Sequence, residues 1–253
     1  MPTNINFDKK LGITGGTEIS LPTGSSFAST NSFIFDGIND YVDCGNPTSL
    51  QITNTITLSA WVKTTDTSSY EIIIGKDSIG TGTRSFLLYR SGSVAVFTIY
   101  TAGGFEKVQG TTIINDGNWH HIMGVNDGSD LKIYVNGTLD ATNVGGGVTF
   151  LNGISPFQIG RRASAPANRA YFTGNIDEVA VWNSDQSANA SAIGGTIPTD
   201  LTSYNPISWW RMGEAANYAG GAWTLVDQGS GGNDGTSTTL PAPPTQPSTD
   251  VPT

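Results

Sequence analysis

One cysteine, Cys44, stands in 253 residues. A single thiol excludes an internal disulfide and a zinc site built on cysteine pairs, and its ordinary role is that of a small buried apolar group. Histidine is almost as scarce: His120 and His121 are the only two, which removes most acid–base schemes built on imidazole. Charged residues make up 13% of the chain, with 12 Lys plus Arg against 21 Asp plus Glu. A net charge of −9 argues against a nucleic-acid partner, which needs a basic field, and mainly favours solubility. No apolar run approaches the roughly 18 residues a membrane helix requires, so no membrane insertion is expected. No G-x-x-x-x-G-K-[ST] loop, G-x-S-x-G elbow or H-E-x-x-H helix occurs. Residues 1–10 lack a basic stretch followed by an apolar one, so no signal peptide is expected and synthesis is placed in the cytoplasm.

What the chain does have is glycine, 32 residues of it, with abundant Ser, Thr and Asn, the composition of short strands joined by tight turns. The clearest stretch runs from Gly117 to Gly137. There two alternating segments flank Asn126-Asp127-Gly128-Ser129-Asp130, and the second ends at Asn136-Gly137, the strongest short hairpin signal. Leu131, Ile133 and Val135 share one face, and Lys132, Tyr134 and Asn136 share the other. Further strands are expected near 32–35, 41–44, 55–63, 71–76, 84–90, 94–101, 107–114, 157–160 and 171–182. This spacing predicts an all-β, two-sheet antiparallel sandwich over residues 31–195. One short helix is expected over 184–193, with Gly194-Gly195 as its stop. Residues 1–30 read as an extended arm with an edge strand within 11–21, and 196–253 as a C-terminal extension ending in a Pro-rich tail. That tail cannot form a core element alone, and a neighbouring subunit is expected to hold it, in a homo-oligomer built through arm and tail.

For chemistry, adjacent strand residues point to opposite faces, so His120 and His121 cannot share one ion and are expected to pack structurally. A sugar site would need aromatic platforms beside polar groups; Tyr70, Tyr89, Tyr100, Phe105 and Tyr171 are candidates, Tyr70, Tyr100 and Tyr171 foremost. Arg161 and Arg162, with Arg169, form the only local basic cluster and could meet an acidic glycan, a partner's carboxylates or solvent.

The segment Trp119-His120-His121, then Asp127-Gly128 and Leu131 to Gly137, resembles the signature of laminin-G-like domains of the concanavalin A-like lectin/glucanase superfamily. Phe35-Asp36-Gly37, Leu58-Ser59-Ala60-Trp61-Val62 and Asn175-Ile176-Asp177-Glu178-Val179 stand in the family order. The resemblance implies a concanavalin A-like jelly roll whose functions range over lectins, enzymes, adhesion modules and virion proteins. It also implies a possible calcium site near the last strand, with Asp36 and Asp177 as ligands beside Asn39 and Asp40; Asx turns would explain the same residues. In the glucanase branch that strand carries E-x-D-x-E, but here Asn175 and Val179 take the glutamate positions and Glu178 is expected to face away, so no enzyme is expected. Trp209-Trp210-Arg211-Met212-Gly213-Glu214 and Asp227 to Thr236 look like the opening that usually precedes such a sandwich, yet they follow it. They either complete their own sandwich, as in a circular permutation, or pack on a neighbour. This order resembles tailed-bacteriophage structural proteins, which implies a virion-surface decoration protein of head, tail or fibre with other virion proteins and host glycans as partners. The alternative is a bacterial carbohydrate-binding adhesin.

Overall fold

The computed structural model describes residues 27–68, 70–78, 80, 82–163 and 170–253. The strand expected within 11–21, Arg169 and most of the predicted arm lie outside the described residues. The rest forms two antiparallel sheets packed face to face.

The seven-stranded sheet runs β1 (Phe33–Asp36), β12 (Thr173–Trp182), β3 (Ile56–Lys63), β8 (Trp119–Asn126), β9 (Leu131–Val135) and β10 (Thr138–Asn143), with β13 (Ser208–Trp210) also paired to β12. The nine-stranded sheet runs β14 (Ala216–Ala219), β15 (Ala222–Leu225), β16 (Gly235–Ser237), β2 (Val42–Asp43), β11 (Gln158–Ile159), β4 (Tyr70–Lys76), β5 (Phe86–Ser91), β6 (Val94–Thr101) and β7 (Gly104–Ile113). The predicted meander is β8 and β9, extended in the structure by β10. Its second turn places Asn136 at φ +51° and Gly137 at φ +73°, the paired positive φ that a two-residue hairpin requires. β10 was not expected from its polar sequence, Thr-Leu-Asp-Ala-Thr-Asn. It is fixed from outside, by Asp140, which accepts hydrogen bonds from Thr111 N, Thr112 N and both hydroxyls at 2.7–3.1 Å and clasps β10 to β7.

Alternate residues of each strand meet in one core: Ile56, Leu58, Ala60 and Val62 of β3 face Phe86, Leu88, Phe97 and Ile99 across the sandwich. Each such buried side chain contributes about 1.5–3 kcal/mol. Gly124 sits where any side chain would strike the Phe97 ring, at 2.7–3.0 Å from a β-carbon. The helical stretch is a 3-10 turn, Ser187–Asn189, leading into the four-residue α1 (Ala190–Ile193), with Gly194 N donating to Ala190 O.

Of the two arrangements left open for the C-terminal extension, the structure has the first. β13 joins one sheet, β14 to β16 join the other, and Trp210, Met212, Trp223, Leu225 and Leu240 lie in the main core. Trp210 stacks on Phe157 at 5.3 Å, and its indole donates to Asn233 O. Asp227 ties the glycine-rich segment down, accepting from Trp209 N, Gly229 N and Asn233 N at 2.7 Å each. What holds the Pro-rich tail is this same sandwich. Ser32 and Ser248 exchange two backbone hydrogen bonds of 2.8 Å, the Gln246 amide pairs with Ile34 N and O, and Asp250 takes Lys63 and the Trp119 indole. The tail thereby covers the free edge of β1, which would otherwise expose an unpaired ladder. The order of the tail is thus accounted for by its own chain.

Candidate functional site

The outer face of the nine-stranded sheet collects most of the aromatic candidates. Strand alternation sends Phe86 and Leu88 of β5 inward and Leu87 and Tyr89 outward; on β6, Phe97 and Ile99 go in and Thr98 and Tyr100 go out. Tyr70 at the start of β4 meets Tyr89 at 4.8 Å between ring centroids, and Ile72, Leu87, Tyr100 and Ala170 complete the apolar floor. The Arg84 guanidinium lies 4.9 Å from the centre of the Tyr100 ring, which in turn meets Phe105 edge-on at 6.3 Å. Beside them opens a cleft of about 250 Å³ lined by Arg84, Tyr100, Thr101, Phe105 and Leu151 and by Gly80, Gly82 and Gly104. Phe105 is 57% exposed there.

Asp77 is buried next to this face, 2.5 Å from Arg162 and 3.7 Å from Arg84. Burial pushes its carboxyl up to about 6 against the pull of both arginines. Arg161 is held differently, over the Tyr41 ring at 3.5 Å, with bonds to Gln158 Oε1 and the Tyr171 hydroxyl. Tyr70, Tyr100 and Arg162 thus form one group and Tyr171 with Arg161 a second, the adjacent arginines joining them. Arg84 and Tyr41 complete the face. Arg84 went unnoticed in the sequence because it stands alone in a polar turn.

The outer face of the seven-stranded sheet carries a carboxylate cluster. The β12–β3 register slips between Asp177 and Ala180, and Glu178 adopts φ +47°, so this is a bulge. The expectation that Glu178 faces away is corrected: the extra residue turns its side chain to the same side as Asp177. One carboxylate oxygen from each of Asp177, Glu178 and Glu214 lies within 4.8 Å of the others. Ser29 Oγ donates to Asp177 at 2.6 Å, and the Trp209 indole and Arg211 Nε donate to Glu178 at 2.6 and 3.2 Å. Glu214 accepts from Thr30 N and Asn31 N. Burial raises Asp177 well above the usual carboxylate range and pushes Glu178 up to about 7, despite Arg211 beside it. These three are the described residues whose donor set could hold a cation, but Arg211 already supplies a counter-charge.

The laminin G family profile of the concanavalin A-like lectin/glucanases superfamily matches residues 36–190. The chain belongs to this superfamily. Its lectin-like sandwich is similar to a "putative carbohydrate binding protein" from Bacteroides ovatus ATCC 8483, with a TM-score of 0.63 and 19% identity over 87% of this chain and 64% of that one. It is also similar to the IT-sialidase CBM40 of Ruminococcus gnavus, solved with alpha2,3 sialyllactose, with a TM-score of 0.52 and 16% identity over 65% of this chain and 96% of that one. The rat sushi, von Willebrand factor type A, EGF and pentraxin domain-containing protein 1 is 25% identical over 165 residues, 61% of this chain, which spans only 4% of that protein.

Within this superfamily sandwich the remaining candidates have local occupations. Asp36 accepts from Ile38 N, Asn39 N and Asp40 N at 2.8–3.3 Å; burial raises its pKa, but these bonds outweigh it and hold the carboxyl below its usual range. It pairs opposite Thr173, four residues and about 13 Å along β12 from Asp177. The two carboxylates foreseen as partners are therefore not brought together. Asp127 accepts from Ser129 N, Asp130 N and Lys132 as a hairpin-turn residue. His121 packs on Trp61 at 5.4 Å and burial pulls it down to about 3, while His120 bonds to Asp116 and Asn136.

Proposed function

We propose that this chain is a non-catalytic carbohydrate-binding module displayed on the surface of a tailed-bacteriophage particle, where it meets host glycans. The observation that carries the binding is the outer face of the nine-stranded sheet. It combines ring platforms, Tyr70 with Tyr89 and Tyr100 with Phe105, a partly exposed arginine, Arg84, and an open cleft. Sugars are held in this way, by stacking of their apolar C–H faces beside a few directed polar groups. The names of two similar structures, one for carbohydrate binding and one for a module solved with sialyllactose, support the same reading.

Against catalysis stands the carboxylate set on β12. Asn175 and Val179 occupy the positions of a glycosidase pair, and the carboxylates that are present are engaged by Ser29, Trp209 and Arg211. Display is supported by the order of motifs, with Trp209 to Glu214 and Asp227 to Thr236 following the sandwich as in phage structural proteins. Phe27 stacks on Trp209 and Asp250 bonds Lys63 and Trp119, so both described ends lie on the seven-stranded side, away from the aromatic face. Attachment to other virion proteins or to further copies would then fall to residues ahead of Phe27. Many copies on one particle would turn weak sites into firm adhesion.

The test is retardation of the purified chain in gels containing bacterial surface polysaccharides, beside Tyr100→Ala, with calcium and with a chelator. Retardation that Tyr100→Ala weakens is expected; none from a folded sample removes the binding reading. Loss on chelation would bring Asp177, Glu178 and Glu214 forward as ligands.

A further inference from the structure

We propose that the glycan bound at the cleft is acidic, a pyranose bearing a carboxylate, with that carboxylate seated on Arg84; this rests on the carbohydrate-binding reading of the same face. Arg84 is the only charged residue among the described residues lining the cleft, and its side chain is 37% exposed. Its described contacts are the Tyr100 ring and Asp77 at 3.7 Å, too long for a hydrogen bond. The planar fork of donors is therefore available, and a carboxylate matches it with two parallel bonds.

The charge around the cleft points the same way. Lys76 is fully buried behind the wall, its ammonium bonded to Asn152 Oδ1 and to Gly153 O, which directly follow Leu151. Both partners are neutral amide oxygens, so Lys76 has no counter-ion among the described residues, and burial lowers it to about 8. Leu151 N is fixed to Tyr100 O at 2.7 Å, which holds this loop against the cleft. Arg84 and Arg162 together face one carboxylate, Asp77, and Lys76 adds a further positive charge beside the Leu151 loop. A positive site in a chain of net charge −9 is a local exception, and its field adds to Arg84 in drawing an anion onto the rings. Phe105 and Tyr100 then supply the stacking surface for the sugar ring.

The experiment measures binding of the full chain to polygalacturonate, to its carboxyl-reduced neutral counterpart and to dextran sulfate, for wild type, Arg84→Gln and Phe105→Ala, with thermal melts as folding controls. The expected result is at least tenfold preference for polygalacturonate over the reduced polymer, a preference that falls with added salt and is lost in Arg84→Gln. Equal binding of both polymers, weakened by Phe105→Ala, would overturn the acidic ligand and leave the carbohydrate reading intact. Dextran sulfate binding as tightly as polygalacturonate would overturn recognition of a carboxylate in favour of bare charge. No binding of any polymer by the folded chain would overturn both.

Discussion

The two outer faces of this sandwich are built from the same kind of strand and end in opposite states. On the seven-stranded side, Ala180, Trp182 and Trp209 are sealed beneath Ile193 and Leu201, with Phe27 and Tyr204 packed alongside, and the carboxylates of Asp177, Glu178 and Glu214 are bonded by residues 29–31, Trp209 and Arg211. On the nine-stranded side, Tyr70 and Tyr89 stay half-buried and Phe105 stands in the open. The first face spends its polar groups on its own chain. The second leaves rings and an arginine partly exposed, and the proposed site rests on this difference.

Arg211 gives the strongest test of the sealed face. Arg211→Ala leaves Glu178 buried without its cation and Ala28 O without its donor, a loss of about 3–5 kcal/mol in chemical denaturation. Glycan binding by the folded fraction should be unchanged; a variant as stable as wild type would show that the cluster is not held by charge.

The cluster also sets a pH dependence. Glu178 titrates near 7 when folded and near 4.5 when unfolded. Below about 4.5 both states are protonated and the burial costs no charge. As pH rises from there towards 7 the unfolded state ionises first, so stability falls across that window and then levels. Asp77, pushed up to about 6, adds to the same slope. Glu178→Gln keeps an acceptor for Trp209 and should flatten the curve, on the order of 3 kcal/mol between the two ends. An unaltered slope would assign the titration to other groups.

The tail comes next. Gln246→Ala removes both hydrogen bonds to Ile34 and should cost about 1–2 kcal/mol while uncovering the edge of β1. Self-association of that variant, measured by light scattering, would show that the tail is a guard on its own sheet.

The meander was legible because Asp127-Gly128 and Asn136-Gly137 are local turn chemistry between period-two strands. The bulge at Glu178 was not, since nothing in Asn-Ile-Asp-Glu-Val demands a positive φ from a glutamate. One signal was present: strict alternation would have turned Glu178 to the same side as Ile176, into the apolar core, a burial no unpaired carboxylate tolerates. β10 was missed because its sequence is polar and the residues that clasp it, Thr111 and Thr112, are distant in sequence; the placement of the Trp210 strand stayed open because its partners, Val179 to Val181, are distant too. Tyr70, Tyr100 and Arg162 were singled out by residue type, whereas the Arg84–Tyr100 contact exists only after β5 and β6 pair.

Phe105 is where the comparison becomes sharpest. An exposed aromatic on an edge strand contributes little to folding, so Phe105→Ala should change stability by less than about 0.5 kcal/mol. The same ring is a wall of the cleft and meets Tyr100 edge-on, so its loss should weaken glycan binding roughly three- to tenfold. Trp209→Phe on the sealed face should do the reverse, lowering stability through the lost bond to Glu178 and leaving binding alone. If Phe105→Ala instead lowers the melting temperature and Trp209→Phe instead loosens the glycan, the functional face has been assigned to the wrong sheet.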